Sequence, residues 1–183
     1  MISSKVSKRY AKALLSLGKE DGKYREYGRE LKDFLSFFQQ NAEYAQAVSN
    51  PVFDLEDRKR ILNLVFEKAR YSETVKNFLN LLLDKNRLGG ISGIYVFYEK
   101  LMDEVANVAR AEVITPRPLH EDSRKRLEKV LEGLTSRKIR METREDETLI
   151  GGIVVKIGDL VLDGSIKAQL KGLKESLKRG EYR

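Results

Sequence analysis

Hydrophobic positions recur at the spacing of an α-helix almost without interruption as far as Val108. Apolar residues three and four positions apart share one side of a helix, so each segment predicts a helix with one buried face. Glycines, prolines and capping residues separate the segments. The pattern predicts an antiparallel bundle of six helices. The first three run from about Ser4 to Leu17, from Lys23 to Gln40 and from Ala42 to Val48. The fourth begins after the cap Asp54, with Leu55, Ile61, Leu62, Val65 and Phe66 inward, the fifth begins after the cap Ser72, and the sixth runs from Gly89-Gly90 to Val108.

The pattern changes after Val108. Alternating segments predict strands at Ala111 to Thr115 and around Ile139 to Thr143, and β-branched runs predict two more at Gly152 to Ile157 and Leu160 to Leu162. Two amphipathic helices are predicted among them, one with Leu127, Val130, Leu131 and Leu134 on one side and one with Ile166, Leu170, Leu173 and Leu177. The predicted fold class is α+β, mainly α, with a six-helix bundle at residues 1–108 and a small α+β domain at 109–183.

Composition excludes several kinds of chemistry. The chain has 183 residues, no cysteine and one histidine, His120, which excludes disulfides and zinc sites built on sulfur. No apolar run is long enough to predict membrane insertion. Met1 to Lys19 lacks acidic residues, as a transit peptide does, but its pattern continues into the next helix, which favours a structural first helix.

The net charge of +7 raises the question of a nucleic-acid partner. The basic residues are dispersed, and only the last helix concentrates lysines, at Lys167, Lys171, Lys174 and Lys178. Lysines beside an apolar stripe more often form a solvated helix face, so we expect no nucleic acid. A basic α+β nucleic-acid-binding protein remains the alternative, with salt-dependent binding as its test.

No motif in the sequence predicts catalysis, a cofactor or a metal. The segments around Gly89-Gly90 and Gly151-Gly152 miss the spacing of phosphate-binding loops, and we interpret them as a helix break and as a bulge or close backbone approach. The acidic run Glu145 to Glu147 is predicted to lie in a polar turn, without the apolar neighbours that favour a protonated, proton-donating carboxyl group. A phosphate-using enzyme would require that the chain bind a nucleotide.

Two predicted helices carry more apolar surface than one buried stripe needs. The first contains Tyr10, Ala11, Ala13, Leu14, Leu15 and Leu17, and the fifth contains Phe78, Leu79, Leu81, Leu82 and Leu83. Both helices are then either central in the bundle and buried on two sides, or the walls of a groove that receives an apolar helix from a partner.

Three segments resemble a known family. RYAKALLSL at Arg9 to Leu17, DKNRL at Asp84 to Leu88 and IGGIVVKIGDLVLDGSIKAQLKGL at Ile150 to Leu173 are similar to the delta subunit of bacterial ATP synthase, whose mitochondrial counterpart is the oligomycin sensitivity conferral protein. The resemblance implies a non-catalytic connector in the peripheral stalk, on the cytoplasmic face of the bacterial inner membrane.

The resemblance also implies partners and contact residues. The bundle would hold the N-terminal helix of an alpha subunit on top of the catalytic alpha/beta head, and the second domain would hold the C-terminal helices of subunit b. The family motif places Tyr10, Ala13 and Leu81 in the groove, and helical geometry adds Leu17 and Phe78. Gly151 and Gly152 would preserve the second domain and stalk assembly. The alternative is that the five groove residues pack within the bundle.

Overall fold

A computed structural model describes residues 4–179, with side chains as far as Leu177. Met1 to Ser3 of the acid-free N-terminal segment and the side chain of Lys178 therefore lie outside the described residues. The chain divides into two compact units between Val105 and Ala106. The described residues are mainly helical with one small mixed sheet, so the predicted α+β class is confirmed.

The first unit consists of helices joined by short turns. A single turn of 3-10 helix at Leu88–Gly90 precedes the last of them, where the sequence predicts a helix break. The six α-helices described in residues 4–105 are α1 (Ser4–Glu20), α2 (Tyr24–Gln40), α3 (Ala42–Ser49), α4 (Leu55–Lys68), α5 (Glu73–Asp84) and α6 (Ile91–Val105).

Close packing against α6 covers one side of α1. Ser7 and Ala11 on α1 are buried, and a Cβ atom added to Gly93 of α6 would lie 3.2 Å from the Ser7 hydroxyl oxygen. Small residues at this contact let the two helices approach closely. The opposite flank of α1, which carries Ala13 and Leu17, is exposed.

A buried arginine joins three segments of the bundle. Arg58 of α4 donates from Nε to the carbonyl oxygen of Val48 (2.9 Å) and from Nη2 to Asn86 Oδ1 (2.7 Å) and the Leu83 carbonyl oxygen (3.3 Å). Burying an unpaired charge costs several kcal/mol unless such hydrogen bonds compensate it. Arg58 therefore fixes the ends of α3 and α5 relative to α4.

The turn after α5 has the geometry that ends many helices. Asn86 adopts a left-handed conformation (φ 53°), and the backbone N–H groups of Asn86 and Arg87 donate to the carbonyl oxygens of Leu83 (2.9 Å) and Leu82 (2.7 Å). Asparagine tolerates this conformation better than most residues. The DKNRL segment forms this turn, and the side chain of Arg87 extends from it to α1, where it is hydrogen-bonded to the Tyr10 hydroxyl.

The second unit combines a four-stranded sheet with two helices. The sheet order is β2-β1-β3-β4, in which β1 and β2 are parallel and the other two pairs are antiparallel. Alternate residues of β1 face a core with Leu131 of α7. The elements are β1 (Val108–Thr115), α7 (Glu121–Thr135), β2 (Lys138–Glu145), β3 (Val154–Ile157), β4 (Leu160–Asp163) and α8 (Ile166–Arg179).

Several predicted details differ from the structure. Val108 begins β1 instead of ending the sixth helix, because Asn107 turns the chain with φ 52°. Leu55 was expected to face inward but is 39% exposed, since it is the first residue of α4 and adjoins the exposed residues Val52 and Phe53. The first helix continues past Leu17 to Glu20.

Asp54 and Ser72 occupy the predicted capping positions, but neither side chain caps its own helix. Glu30 of α2 takes that role for α5: its Oε2 accepts from the Ser72 backbone N–H (3.0 Å) and hydroxyl (2.7 Å). A residue distant in sequence thus stabilises the N-terminus of α5, which no local pattern indicates.

The first unit has its own apolar core, so we predict that it folds alone. A chain ending at Val105 should remain helical and unfold cooperatively, because the apolar surface it must bury lies within it. Circular dichroism during thermal unfolding checks this. Loss of helix in the shortened chain would show instead that the two units share one core.

Candidate functional site

An apolar groove of about 540 Å³ lies between α1 and α5. Its walls follow one stripe of each helix, and all five residues predicted for a groove line it. We call it the α1–α5 groove; its lining consists of Arg9, Tyr10, Ala13, Leu14, Leu17 and Asp21 on one side and Thr74, Asn77, Phe78 and Leu81 on the other.

Exposure differs among the five predicted residues. Leu17 and Leu81 are 46% and 44% exposed, an unusual state for two leucines that face the same groove. Phe78 is only 7% exposed and meets the Tyr10 ring edge to face, with ring centres 6.2 Å apart. Phe78 therefore belongs to the wall of the core as well as to the groove.

Hydrogen bonds close one end of the groove. The hydroxyl of Tyr27, on α2, donates to Asp21 Oδ2 (2.7 Å) and is also hydrogen-bonded to Thr74 Oγ1 (3.1 Å). The bond to the Asp21 carboxylate raises the pKa of Tyr27 above its ordinary value of 10.0. Tyr27 thereby joins the end of α1 to the start of α5.

A second contact joins the two walls at the other end. Arg87 Nη1 donates to the Tyr10 hydroxyl (2.7 Å), and the Arg87 guanidinium carbon lies 5.4 Å from the centre of the Tyr10 ring. The Arg9 guanidinium carbon lies 6.0 Å from the same ring centre. The groove thus has a carboxylate at one end and two guanidinium groups at the other.

Sequence reasoning missed the polar residues of the groove, although a signal for them exists. Arg9, Ala13, Leu17 and Asp21 are spaced by four residues on α1 and the turn after it, which places them in one row. The two apolar positions of this row are Ala13 and Leu17. One helical turn before and one after them in the sequence are the two charged residues, Arg9 and Asp21. Thr74 extends the α5 row from Phe78 in the same way.

The second unit also leaves apolar surface uncovered. A hollow of about 440 Å³ lies between α7 and the sheet, with Val130, Leu134 and Leu162 among its lining residues. Leu134, predicted on the apolar side of α7, is 58% exposed. On α8, the predicted stripe is exposed along its length, at Ile166, Leu170, Leu173 and Leu177. We call these surfaces the α7–β4 hollow and the α8 stripe.

The Gly151-Gly152 pair allows two backbone segments to run side by side. The Gly151 carbonyl oxygen accepts from the Ile166 N–H (3.0 Å). Gly152 has φ +85°, and an added Cβ would lie 2.8 Å from Ser165 Cα and collide with the Gly164 carbonyl oxygen. The structure confirms the close backbone approach expected from the sequence and shows that it connects the start of β3 to the start of α8.

Polar chemistry elsewhere in the described residues gives no catalytic arrangement. Residues 4–179 contain no group of three or more His, Cys, Asp or Glu side chains that could hold a metal. His120 is exposed at the start of α7. Hydrogen bonds from Thr148 lower the pKa of Asp146 below its ordinary value, the opposite of what a carboxylic acid needs to donate a proton at neutral pH.

A helical unit with an open apolar groove and a second unit with uncovered apolar faces define a binding protein that connects partners. The model of the family described as ATP synthase delta (OSCP) subunit matches residues 6–177. The chain belongs to this family.

Individual relatives agree with the family match over the whole chain. It is 44% identical to the ATP synthase subunit delta of Desulforapulum autotrophicum, over 99% of each chain. It is 41% identical to that of Desulfosudis oleivorans, over 96% of each. A chain in the cryo-EM structure of the Toxoplasma gondii mitochondrial ATP synthase hexamer shares the fold, with a TM-score of 0.60, 16% identity and coverage of 93% of this chain and 96% of that one.

The family match settles the class of function. The chain is a non-catalytic subunit of the peripheral stalk of ATP synthase, and it assembles with the head and stalk of that complex. This result favours the stalk subunit over the nucleic-acid-binding alternative. Among the helices that the structure describes, none combines the length and the apolarity needed to cross a bilayer.

Gly152→Ala should destabilise the second unit by about 2–4 kcal/mol, because a Cβ at φ +85° is strained and meets the backbone of Gly164 and Ser165. Gly158→Ala is the matched control: its φ is +57°, but no atom lies within 4 Å of an added Cβ, so about 1 kcal/mol is expected. Chemical unfolding of both variants measures the difference. Equal losses would contradict the close approach.

Proposed function

We propose that the α1–α5 groove binds the amphipathic N-terminal helix of an ATP synthase alpha subunit and that the second unit binds the C-terminal helices of subunit b. The protein thereby ties the alpha/beta head to the stator at the cytoplasmic face of the bacterial inner membrane, so that rotation of the rotor drives ATP synthesis. The observation that carries this proposal is the apolar groove itself, in which two half-exposed leucines, Leu17 and Leu81, face an open space.

The length of the groove suits a short helix. Arg9 and Asp21 are twelve positions apart, which at 1.5 Å per residue corresponds to about 18 Å, or roughly three turns. A helix of that length presents apolar anchors at positions i, i+3 or i+4, and i+7 to such a groove. The Tyr10–Phe78 pair offers an aromatic wall to these anchors.

The mechanical role requires tight binding. Each elementary charge that crosses 100 mV releases about 2.3 kcal/mol, and several contribute to each ATP. A joint under that force needs roughly nanomolar affinity, about 12 kcal/mol of binding free energy. Apolar burial at about 25 cal/mol per Å² favours association, while ordering of the docked helix opposes it.

Ala13→Asp tests the groove directly. Ala13 is exposed and lines the groove, so the variant should fold, but its carboxylate would lose water without gaining a partner when the helix binds. We expect the affinity for a synthetic peptide of the alpha-subunit N-terminus to fall at least ~100-fold, about 2.7 kcal/mol. Isothermal titration calorimetry measures this change.

Two comparison variants make this test specific. Ser16→Asp places the same charge at an exposed position of α1 outside the groove lining and should bind the peptide normally. Leu79→Asp buries a carboxylate at a fully buried position and should unfold the bundle. If Ala13→Asp unfolds the bundle as Leu79→Asp does, or binds the peptide normally, the groove is not the binding site.

For the second unit, the α7–β4 hollow and the α8 stripe support a helical partner. Both surfaces consist of leucine, isoleucine and valine side chains that remain partly exposed. Exposed apolar area on this scale is typical of a surface that a partner covers. A helix with an apolar face would cover this surface, and the family resemblance implies that the C-terminal helices of subunit b are that partner.

Leu134→Asp should weaken binding of a subunit b fragment at least ~10-fold, about 1.4 kcal/mol. Because Leu134 is 58% exposed, the stability of the unit should change little. Ser123→Asp, which adds the same charge on α7 outside the hollow, is the control.

Gly152→Asp should impair stalk assembly by a different route, through distortion of the unit, and leave peptide binding to the groove intact. Normal assembly in both Leu134→Asp and Gly152→Asp would overturn this part of the proposal.

A further inference from the structure

We propose that the turn between α3 and α4 is a second contact with the alpha/beta head, separate from the α1–α5 groove. Three large apolar residues of this turn, Val52, Phe53 and Leu55, are exposed, and we call them the α3–α4 patch. The proposal rests on the assembly of this family with the head and does not require that the groove bind a helix.

The α3–α4 patch concentrates exposed apolar side chains in a short stretch of chain. Val52 is 83% exposed and Phe53 50%, and Leu55 follows two positions later. The other exposed large hydrophobic residues described in residues 4–105 either line the groove or stand singly in the sequence, as Leu64 and Val96 do. Since phenylalanine is enriched in protein interfaces, the patch has the composition of a contact surface.

Hydrogen bonds hold the patch in one conformation. The Val52 backbone N–H donates to Asn50 Oδ1 (3.0 Å), and the Phe53 N–H donates to the Asn50 carbonyl oxygen (3.3 Å). Pro51 restricts the backbone between them, and the buried Arg58 joins the end of α3 to α4. A patch on a turn fixed in this way loses little conformational entropy when a partner covers it.

The patch lies at the end of the bundle opposite to the one from which the chain continues to the second unit. Arg58 donates to Asn86 Oδ1, so the α3–α4 turn adjoins the turn after α5. The start of α5 and the last turns of α6 are both bonded to the beginning of α2, through Tyr27 and through Tyr98, whose hydroxyl donates to the Tyr24 carbonyl oxygen (2.8 Å). The connection after α6 therefore leaves the end with the patch open to a large partner.

The groove alone offers less apolar area than a stable interface buries. Its half-exposed leucines, with Ala13 and Tyr10, present roughly 300 Å², whereas a standard interface buries about 800 Å² on each partner. The exposed fractions of the α3–α4 patch add roughly another 300 Å². Two surfaces that contact one large partner come closer to the area that tight binding needs than the groove does by itself.

The size of the patch favours the head over a second copy of the chain. Roughly 300 Å² on each copy is well below what a stable dimer buries. On a partner that is already bound elsewhere, the same area is sufficient, because the second contact forms at a high effective concentration.

The charge of the turn describes the surface that it fits. Asp54 lies between Phe53 and Leu55, is exposed, and makes no capping bond with α4. We therefore expect the contact region of the head to contain an apolar hollow with a lysine or arginine at its rim, because a carboxylate that loses water needs a partner.

Phe53→Ser and Val52→Ser in the full-length chain test the proposal. We expect the affinity for the purified alpha/beta head to fall at least ~10-fold for Phe53→Ser and about threefold for Val52→Ser. Affinity for a synthetic peptide of the alpha-subunit N-terminus should not change. Leu64→Ser removes a comparably exposed side chain from α4 outside both surfaces and is the matched control, with both affinities unchanged. Calorimetric titration measures the affinities, and thermal unfolding checks that all variants are folded.

The outcomes distinguish the patch from the groove. Unchanged head binding in both patch variants would overturn the proposal, and so would an equal loss of peptide binding, because the patch would then act through the groove or the fold. A free chain that sediments as a dimer, and as a monomer after Phe53→Ser, would assign the patch to a second copy and overturn it as well. If the unaltered chain binds the head but not the peptide, the groove proposal fails, while weaker head binding of Phe53→Ser still supports the patch.

Discussion

The geometry of the groove depends on the buried guanidinium group of Arg58. Its hydrogen bonds to Asn86 and to the Leu83 carbonyl oxygen hold the turn that ends α5. That turn directs Arg87 to the Tyr10 hydroxyl on α1. Because each of these groups would lose a hydrogen-bond partner if the chain of contacts broke, the distance between the two walls is set by polar bonds rather than by apolar contact alone.

The groove can stay open because the bundle does not need its surface for stability. α1 buries Ser7 and Ala11 against α6 and Leu14 in the core, so Ala13 and Leu17 remain available. Tyr27 at one end and Arg87 at the other keep the walls in place without filling the space between them. A connector that binds a helix tightly needs such a preformed surface, because less ordering then opposes association.

Much of the fold could be predicted because helices and strands follow local patterns. The stripes of α1 and α5 were visible in the sequence, and with the family resemblance they led to all five groove residues. One error concerns a position where a neighbour decides burial: Leu55, which was expected to face inward, is exposed at the start of α4. Capping of α5 by Glu30, from another helix, has no local signature either.

By itself, the sequence determined which side of each helix is apolar, where most elements begin and end, and which chemistry is absent from the composition. The spacing of side chains along an element is set by its own backbone, so these features are local. The residue pattern alone left open whether α1 and α5, separated by more than fifty residues, face each other, and only the family resemblance suggested a groove between them. The tertiary structure decided the question and showed that Tyr27 and Arg87 join the two helices. The reason is physical: whether an apolar stripe becomes core or groove depends on the element that covers it, which the stripe itself does not encode.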